Sequence, residues 1–292
     1  MINDVFIVGC GDIGERVARL WRARGVTVSG LARSQASHAR LVEKGISAVP
    51  GDLDDILSLV ALPVHNTLIY YFAPPPERGG ADSRIQHFLS AIPPNRPPCK
   101  IIYLSTSGVY GDHQGGWVDE DTLPNPQTPR AQARISAETA VLNWGHAHDV
   151  PVVILRVGGI YGPGRLPIER IKQGQPVVRA TEAPYTNRIH ADDLAQICLA
   201  AAERGADRRI YNVCDGEHST MTDYFHAVAD ALGLPRPPEI SLAEAQKILN
   251  PAMLSYVNES RRMDNRRMRE ELGVTLRYPT LQEGLVASTQ TE

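Results

Sequence analysis

The sequence predicts an α/β fold in which helices cover both faces of a doubly wound parallel sheet. Two observations support this prediction. Short apolar runs rich in β-branched residues alternate with helix-like segments about five times, as repeated β-α units with right-handed crossovers require. One of these runs, 67–72, is continuously apolar, which is typical of a parallel strand buried on both faces.

The first β-α unit carries a glycine pattern between its strand and its helix. The residues that follow the apolar run 5–8 are Gly9, Cys10, Gly11, Asp12, Ile13 and Gly14. Here Gly9 permits a tight turn, Gly11 lets the backbone approach a pyrophosphate, and Gly14 lets the helix lie close to the strand. Because a strand precedes this pattern and a helix N-terminus follows it, we predict that residues 9–14 bind a dinucleotide.

The end of the second predicted strand indicates which dinucleotide is bound. A site for NAD usually has an acidic residue there, which binds the 2′-hydroxyl of the ribose. This chain has Arg33 and Ser34 instead. Arg33 can bind a 2′-phosphate and Ser34 can add a hydrogen bond, so NADP is favoured over NAD. The alternative is that Arg33 is only a solvated loop residue.

Composition argues against several other classes of protein. Of the 292 residues, 42% are hydrophobic and 22% charged, which is ordinary for a globular protein of one large or two small domains. The net charge of −3 argues against a general nucleic-acid binder. The four cysteines have neither CxxC nor metal-ligand spacing, so we expect reduced thiols, a cytoplasmic location and no metal. We expect no signal peptide and no membrane span.

Two further loops follow strands of the predicted sheet. After the third strand another helix is predicted to begin, with Asp52 and Leu53 at the carboxyl edge where open α/β sheets bind ligands. Asp52 either hydrogen-bonds an adenine or caps that helix, and the sequence leaves both open. The strand 67–72 ends at Ala73 and Pro74, and two more prolines then stiffen the loop.

The remaining segments complete the first lobe and indicate a second one. A helix after Arg33 runs to Lys44 and ends at a glycine, and a later helix spans roughly 81–92. Strands follow at 100–104 and 151–156, after which glycine and proline recur. We predict a dinucleotide-binding lobe interleaved with a smaller substrate lobe. The first comprises residues 1–157 and 188–216, and the second comprises residues 158–187 and 217–292.

Five segments carry a family resemblance: 104–111 (LSTSGVYG), 155–165 (LRVGGIYGPGR), 188–195 (RIHADDLA), 211–217 (YNVCDGE) and 265–273 (NRRMREELG). In this order they resemble the motifs of extended short-chain dehydrogenases/reductases, which include nucleoside-diphosphate-sugar epimerases and dehydratases. The resemblance covers nearly the whole chain. It implies a Rossmann-type fold, an NAD(P) cofactor, and hydride transfer on a sugar, a sugar nucleotide or another carbonyl or carbinol substrate.

The resemblance also assigns residues to the site. The glycine turn, Asp52, Leu53, Ala73 and Pro74 would line the cofactor cleft. Thr106 matches the catalytic Ser/Thr of the family, whose hydroxyl hydrogen-bonds a substrate oxygen near the nicotinamide. The alternative for Thr106 is a turn or cap residue in a Ser/Thr run.

The sequence departs from the family at its Tyr-x-x-x-Lys motif. Arg130 stands at the Tyr position and Arg134 at the Lys position, and their spacing of four places both on one helix face. A guanidinium stays protonated, so Arg130 cannot replace Tyr as the general acid/base. Arg134 can supply the charge of Lys to the nicotinamide ribose, and Arg130 can bind a phosphate or carboxylate. The alternative is an exposed helix face on which Glu138 pairs with Arg134.

The missing tyrosine leaves the function open between two classes. Either an atypical enzyme uses another proton carrier, or the chain is a non-catalytic NADP-binding regulator that senses redox state. The candidate carriers are Tyr110, Tyr161, Tyr185 and His190, although each is more readily structural, with His190 as a buried cap. The family resemblance further implies a possible homodimer through the helices at about 81–92 and 129–147.

Overall fold

The structure, a computed structural model, describes residues 2–76, 80–249 and 251–290. Its strands are β1 (Asp4–Val8), β2 (Thr27–Ala32), β3 (Ser47–Pro50), β4 (Leu68–Tyr71), β5 (Lys100–Thr106), β6 (Trp117–Val118), β7 (Val152–Val157), β8 (Gly159–Tyr161), β9 (Val177–Val178), β10 (Tyr185–Thr186), β11 (Arg188–His190), β12 (Arg209–Val213), β13 (Ser219–Thr220), β14 (Glu239–Ile240) and β15 (Arg262–Met263). Its helices are α1 (Asp12–Arg22), α2 (Gln35–Glu43), α3 (Ser83–Ser90), α4 (Pro129–His148), α5 (Ile168–Lys172), α6 (Ala191–Arg204), α7 (Met221–Ala231), α8 (Leu242–Ile248), α9 (Pro251–Val257), α10 (Arg266–Glu271) and α11 (Leu281–Thr289).

The predicted doubly wound parallel sheet is confirmed. Seven strands pair in the order β12-β7-β5-β4-β1-β2-β3, and every pair is parallel. The chain moves from β1 outward to β3 and then crosses to β4 on the other side of β1. A crevice therefore opens between the carboxyl ends of β1 and β4, where sheets of this kind bind their ligands.

Alternating side chains of β1 show how the sheet is buried. Val5 and Ile7 belong to an apolar cluster on one face, while Phe6 and Val8 belong to a second cluster on the other. Helices therefore cover both faces of the strand, which explains why its sequence is continuously apolar rather than alternating.

A third apolar cluster lies outside the sheet. It joins α5, α7 and α11 through residues that include Ile171, Phe225 and Leu285. By contrast, Met268 and Leu272 at α10 pack into the cluster beside the sheet, although the sequence assigns 217–292 to the smaller lobe. The proposed lobe boundaries stay a prediction, and α10 packs into the apolar cluster beside the sheet.

One predicted helix is shorter than expected. The segment after β3 forms a single 3-10 turn, Ile56–Leu59, whose N-cap is Asp55 rather than Asp52. Pro63 follows closely and cannot donate a backbone hydrogen bond, which limits the length of any helix there. Within the described ranges, none of the helices combines the length and apolarity needed to span a membrane.

Candidate functional site

The turn after β1 has the geometry that its glycine pattern predicts. Gly9 has a φ of +87°, and a Cβ built on it would lie 2.4 Å from the Ala73 amide nitrogen. A Cβ on Gly14 would lie 3.1 Å from Ile7 Cγ2, so helix and strand are in close contact there. A Cβ on Gly11 would meet no described atom within 4 Å, so this backbone is open to a ligand. These residues fit the pyrophosphate of a dinucleotide.

Asp12, at the start of α1, links the glycine turn to Arg165, which lies 153 positions further along the chain. Its carboxylate accepts hydrogen bonds from Arg16 Nε at 2.8 Å and from Arg165 Nε at 2.5 Å. Burial would raise the pKa of Asp12, but the bonds from Arg165 and Arg16 outweigh it and lower that pKa. Asp12 therefore holds Arg165, a residue that sequence reasoning left out of the site.

The neighbouring Cys10 and Ile13 face the apolar core rather than solvent. Both side chains are buried, and they belong to the cluster beside the sheet. Burial raises the pKa of the Cys10 thiol to about 12. At neutral pH the thiol is therefore protonated, and it is a poor nucleophile.

The structure separates the roles of Arg33 and Ser34. The Arg33 side chain is 67% exposed, and one of its nitrogens lies 4.0 Å from Asp54. The Ser34 hydroxyl accepts a hydrogen bond from the Ser37 amide and so caps α2, a role that the sequence analysis missed. Arg40, also missed, donates from Nη2 to the Cys10 carbonyl oxygen at 2.9 Å. Arg33 therefore lies at the end of β2, and Arg40 contacts the glycine turn.

The other predicted cofactor residues lie on adjoining loops. Asp52 accepts a hydrogen bond from the Asp54 amide at 3.0 Å, which stabilises a turn, and Leu53 is buried. Ala73 packs against Gly9, as its predicted place beside the cleft requires. The carbonyl oxygen of exposed Pro74 accepts a bond from Arg84. Asp55 caps the 3-10 turn that follows, so the alternative of Asp52 as that cap is wrong, and its contact with an adenine stays a prediction.

A cavity of about 440 Å³ adjoins the ends of β5 and β7. The three residues predicted as catalytic, Thr106, Arg130 and Arg134, all line it. The Thr106 oxygen accepts a hydrogen bond from the Gly108 amide at 3.2 Å and caps a 3-10 turn. Its role as a cap does not consume its own hydroxyl hydrogen, which can be donated to a ligand in the cavity.

Arg134 is buried between the loop after β4, which contains Ala73, and the cavity. One of its nitrogens, Nη1, donates to the carbonyl oxygens of Ala73 at 3.3 Å and Leu104 at 3.0 Å, and to the Tyr103 hydroxyl at 3.0 Å. The alternative of an exposed pair between Arg134 and Glu138 is therefore wrong. Arg130, one turn earlier on the same face, is exposed.

Glu138 instead forms a buried ion pair with Arg156. Arg156 Nη2 lies 2.8 Å from Glu138 Oε2, and the Ser105 hydroxyl also donates to this carboxylate. The Arg156 guanidinium carbon lies 4.9 Å from the centre of the Tyr110 ring. Glu138 in α4, Ser105 in β5 and Arg156 in β7 thus form a cluster that connects α4 to both strands.

The four alternative proton carriers differ in their access to the cavity. Tyr110 is buried and donates to Asn212 at 2.7 Å, and Tyr161 is buried in the third apolar cluster. His190 accepts a bond from the Asp192 amide as the N-cap of α6, which confirms its predicted capping role. Tyr185 lines the cavity.

Positive charge dominates the cavity. Among the described residues, five arginines line it, and they are Arg130, Arg134, Arg165, Arg188 and Arg261. The acidic lining residue Glu259 is held by Arg261 at 2.7 Å. The described residues contain no group of three or more His, Cys, Asp or Glu side chains placed to hold a metal ion.

Comparisons with known proteins agree with this geometry. Protein YeeZ of Escherichia coli K12 is 28% identical over 299 residues, covering 95% of this chain and 97% of that protein. The structure of a functionally unknown conserved protein from Silicibacter pomeroyi DSS superimposes with a TM-score of 0.83 at 28% identity, covering 99% of both chains.

A more distant structure shares only the fold. The UDP-glucose 4-epimerase of Thermotoga maritima, solved with UDP-glucose, superimposes with a TM-score of 0.80 at 19% identity, covering 99% of this chain and 98% of that one. The model of the NAD dependent epimerase/dehydratase family matches residues 5–214. This chain therefore belongs to that family and is one of its NAD(P)-binding oxidoreductases.

Proposed function

We propose that this chain is an NADP-dependent oxidoreductase acting on a carbonyl or carbinol carbon of a sugar, a sugar nucleotide or a related small molecule. The observation that carries the proposal is the position of Arg134. It lines the cavity and also donates to Ala73, which packs against Gly9 of the glycine turn. One side chain therefore joins the dinucleotide edge to the substrate cavity. The UDP-glucose bound by the T. maritima enzyme supports a sugar nucleotide as one candidate substrate.

When the cofactor is bound, its nicotinamide supplies or accepts the hydride. The residues of the chain bind the substrate oxygen, hold the neighbouring loops and provide positive charge. Thr106 donates a hydrogen bond to the substrate oxygen, and the proton that this oxygen gains or loses is exchanged with solvent in the cavity, whose lining residue Arg130 is exposed. Arg134 holds the loop after β4 and the end of β5 through the Ala73 and Leu104 carbonyl oxygens, and it would supply a positive charge to a bound nicotinamide ribose. Arg130 provides a fixed charge that stabilises an oxyanion, but it cannot deliver a proton.

A calorimetric titration tests the preference for NADP. A charge-assisted hydrogen bond contributes about 1.5–3 kcal/mol, and the exposure of Arg33 places this contact at the lower end of that range. We expect NADP to bind about tenfold more tightly than NAD, and Arg33→Ala to remove most of the difference. Arg236→Ala, in an exposed pair with Asp230, is the matched control. Equal affinities of the native protein for both cofactors would rule the preference out.

A double substitution tests the proton step. Arg130→Tyr with Arg134→Lys should raise NADPH oxidation with uncharged carbonyl compounds and nucleotide sugars, because general acid catalysis contributes about 10²–10⁴-fold. Arg130→Phe with Arg134→Lys lacks the hydroxyl and should show no gain. High native turnover that falls in the Tyr variant would mean that Arg130 binds substrate while another group moves the proton.

The cavity and Thr106 favour the enzyme over a non-catalytic redox sensor. The buried thiol of Cys10, with its raised pKa, also does not suit a sensor at the cofactor turn. The cytoplasmic location and the exclusion of nucleic acid stay predictions.

The homodimer also stays a prediction. The helices α3 and α4 form a surface groove lined by Leu89, Ile92 and Trp144, which a second copy could cover. Light scattering at micromolar concentration tests it, and a monomer mass would exclude the dimer.

A further inference from the structure

The five arginines of the cavity differ in what neutralises them. Arg165 binds Asp12 and Arg261 binds Glu259, so each has a carboxylate. Arg134 is satisfied by neutral oxygens, and Arg130 is exposed to solvent. Arg188 differs from the other four, because it is buried and has no acidic partner among the described residues.

The surroundings of Arg188 are mostly apolar. Its residue surface is only 7% exposed, and its guanidinium carbon lies 3.7 Å from the centre of the Tyr224 ring. Its Nη2 donates to the Thr186 hydroxyl at 2.7 Å, whereas its Nε is buried with no hydrogen-bond partner among the described residues. Among those residues, no carboxylate lies within ion-pair distance of the Arg188 guanidinium. A buried cation of this kind is costly unless a counterion reaches it.

Asp215 is the carboxyl group that most offsets the positive charge of Arg188. Its amide donates to the Arg188 carbonyl oxygen at 2.7 Å, and its side chain interacts electrostatically with the guanidinium without forming an ion pair. Burial raises the pKa of Asp215 to about 7, so this carboxyl is only partly ionised at neutral pH. Asp215 and Asp223 therefore act on Arg188 electrostatically, and neither forms an ion pair with it among the described contacts.

The strand register places Arg188 close to the reacting residues. Thr106 pairs with Val157 across β5 and β7, and Arg188 pairs with Gly159, two residues further along the chain. Arg188 also lines the same cavity as Thr106. Its charge is therefore available to a molecule that contacts Thr106.

We propose that Arg188 binds a carboxylate or phosphate group of the substrate and so selects an anionic substrate for this cavity. The inference rests on the proposed function, since it takes the cavity to be the substrate site. The bound oxyanion supplies the counterion that Arg188 lacks among the described residues, and it reaches the guanidinium from the cavity that Arg188 lines. A charged and planar donor of this type suits both oxyanions.

Calorimetry on protein saturated with NADP⁺ tests this assignment. The probes are inorganic phosphate and acetate at constant ionic strength, so that saturation of the cofactor site removes its own phosphate contacts from the signal. We expect at least one anion to bind with millimolar affinity and Arg188→Met to weaken it at least tenfold. The control Arg236→Met should bind as the native protein does. The tighter probe identifies the oxyanion class.

Thermal unfolding separates a binding role from a structural one. In the absence of added anions, Arg188→Met should melt at or above the native temperature, because it removes a buried charge and keeps the length of the side chain. If it does not fold, Arg188→Lys retains the charge without the planar fork and should still bind the preferred anion more weakly than the native protein.

Three results would overturn the inference. They are binding of neither anion to the native protein, equal binding by the native protein and Arg188→Met, or a large fall in melting temperature with anion affinity intact. Failure of NADP⁺ itself to bind would instead refute the proposed function. Normal NADP⁺ binding with unchanged anion affinity in Arg188→Met would refute this inference alone.

Discussion

Arg156 and Arg188 are both buried, yet within the part of the chain that the structure describes only Arg156 has a carboxylate partner. Arg156, 3% exposed, is held by Glu138 and lies over the Tyr110 ring. Arg188, 7% exposed, lies over the Tyr224 ring, and its Nη2 donates to the neutral Thr186 hydroxyl. The first cation is neutralised behind the cavity wall, and the second is left uncompensated where the wall faces the cavity. The pairing of a buried arginine thus distinguishes a structural contact from a surface that can bind a ligand.

Breaking the neutralised pair should give the largest loss of stability. Glu138→Met leaves Arg156 buried without its anion, and removal of one partner of a buried pair costs about 3–5 kcal/mol. Urea unfolding followed by circular dichroism measures the free energy of unfolding.

The double variant Glu138→Met with Arg156→Met is the control for that loss. It removes both charges and should recover much of the stability, since apolar groups can replace a buried pair at little cost. Equal losses in the single and double variants would show that shape, rather than charge, makes the cluster stable. The contrast with Arg188 would then fail.

The pH dependence of Asp215 should give a somewhat smaller effect. Burial raises its folded pKa to about 7, so the folded state holds a proton that the unfolded chain releases above about pH 4. Its contribution to stability is therefore present at low pH and is lost as the pH rises from about 4 to about 7. At one pKa unit per 1.4 kcal/mol, the loss between pH 5 and pH 8 is about 3 kcal/mol.

Asp215→Asn removes that titration and keeps a side-chain acceptor for the Glu217 amide. Unfolding at pH 5 and pH 8 should show a smaller fall for the variant, which should exceed the native stability at pH 8. In Arg188→Met the pKa of Asp215 should rise further, because Arg188 currently lowers it. An identical pH profile in the native protein and Asp215→Asn would contradict the assignment.

Arg134 is an intermediate case, since neutral oxygens surround it. Arg134→Met leaves the Leu104 carbonyl and the Tyr103 hydroxyl without their donor, which should cost about 1–3 kcal/mol. Arg134→Lys keeps a donor and should lose less. Urea unfolding compares the two, and a loss in Arg134→Met as large as that in Glu138→Met would remove the distinction between neutral and ionic partners.

The geometry of the glycine turn and of the helix face with Arg130 and Arg134 was predictable from short stretches of sequence. The geometry of Gly9 and Gly14 follows from consecutive residues between one strand and one helix, so the sequence contains all that it needs. Arg130 and Arg134 line one cavity because their spacing of four fixes them to one helix face. The cap at Ser34 was also within reach of sequence reasoning, since serine three residues before another hydroxyl favours a helix start.

The partners of the arginines could not be predicted in the same way. Arg165 meets Asp12 across 153 positions, and Arg188 in β11 meets the ring of Tyr224 in α7. Glu138 lies four residues from Arg134 but pairs with Arg156, because α4 turns that face toward β7. Such contacts depend on how elements pack, which neither helical spacing nor residue type determines.

The exposed pair of Arg209 and Glu271 should give the smallest effect, and it isolates burial as the cause of the difference. Its geometry resembles that of the buried pair, with Arg209 Nε 2.8 Å from Glu271 Oε2 and the Tyr211 hydroxyl bonding the same oxygen at 3.1 Å. However, the two charged side chains are 41% and 34% exposed, so water and salt screen their attraction. Arg209→Met should therefore change the free energy of unfolding by only about 0–1 kcal/mol.

This small change in the free energy of unfolding should shrink further in 1 M salt, where the Debye length is about 3 Å. Urea unfolding at low and high salt measures both quantities beside Glu138→Met. A salt-independent loss of several kcal/mol at Arg209 would mean that hydrogen-bond geometry, rather than burial, governs these pairs, and the unpaired state of Arg188 would lose its significance.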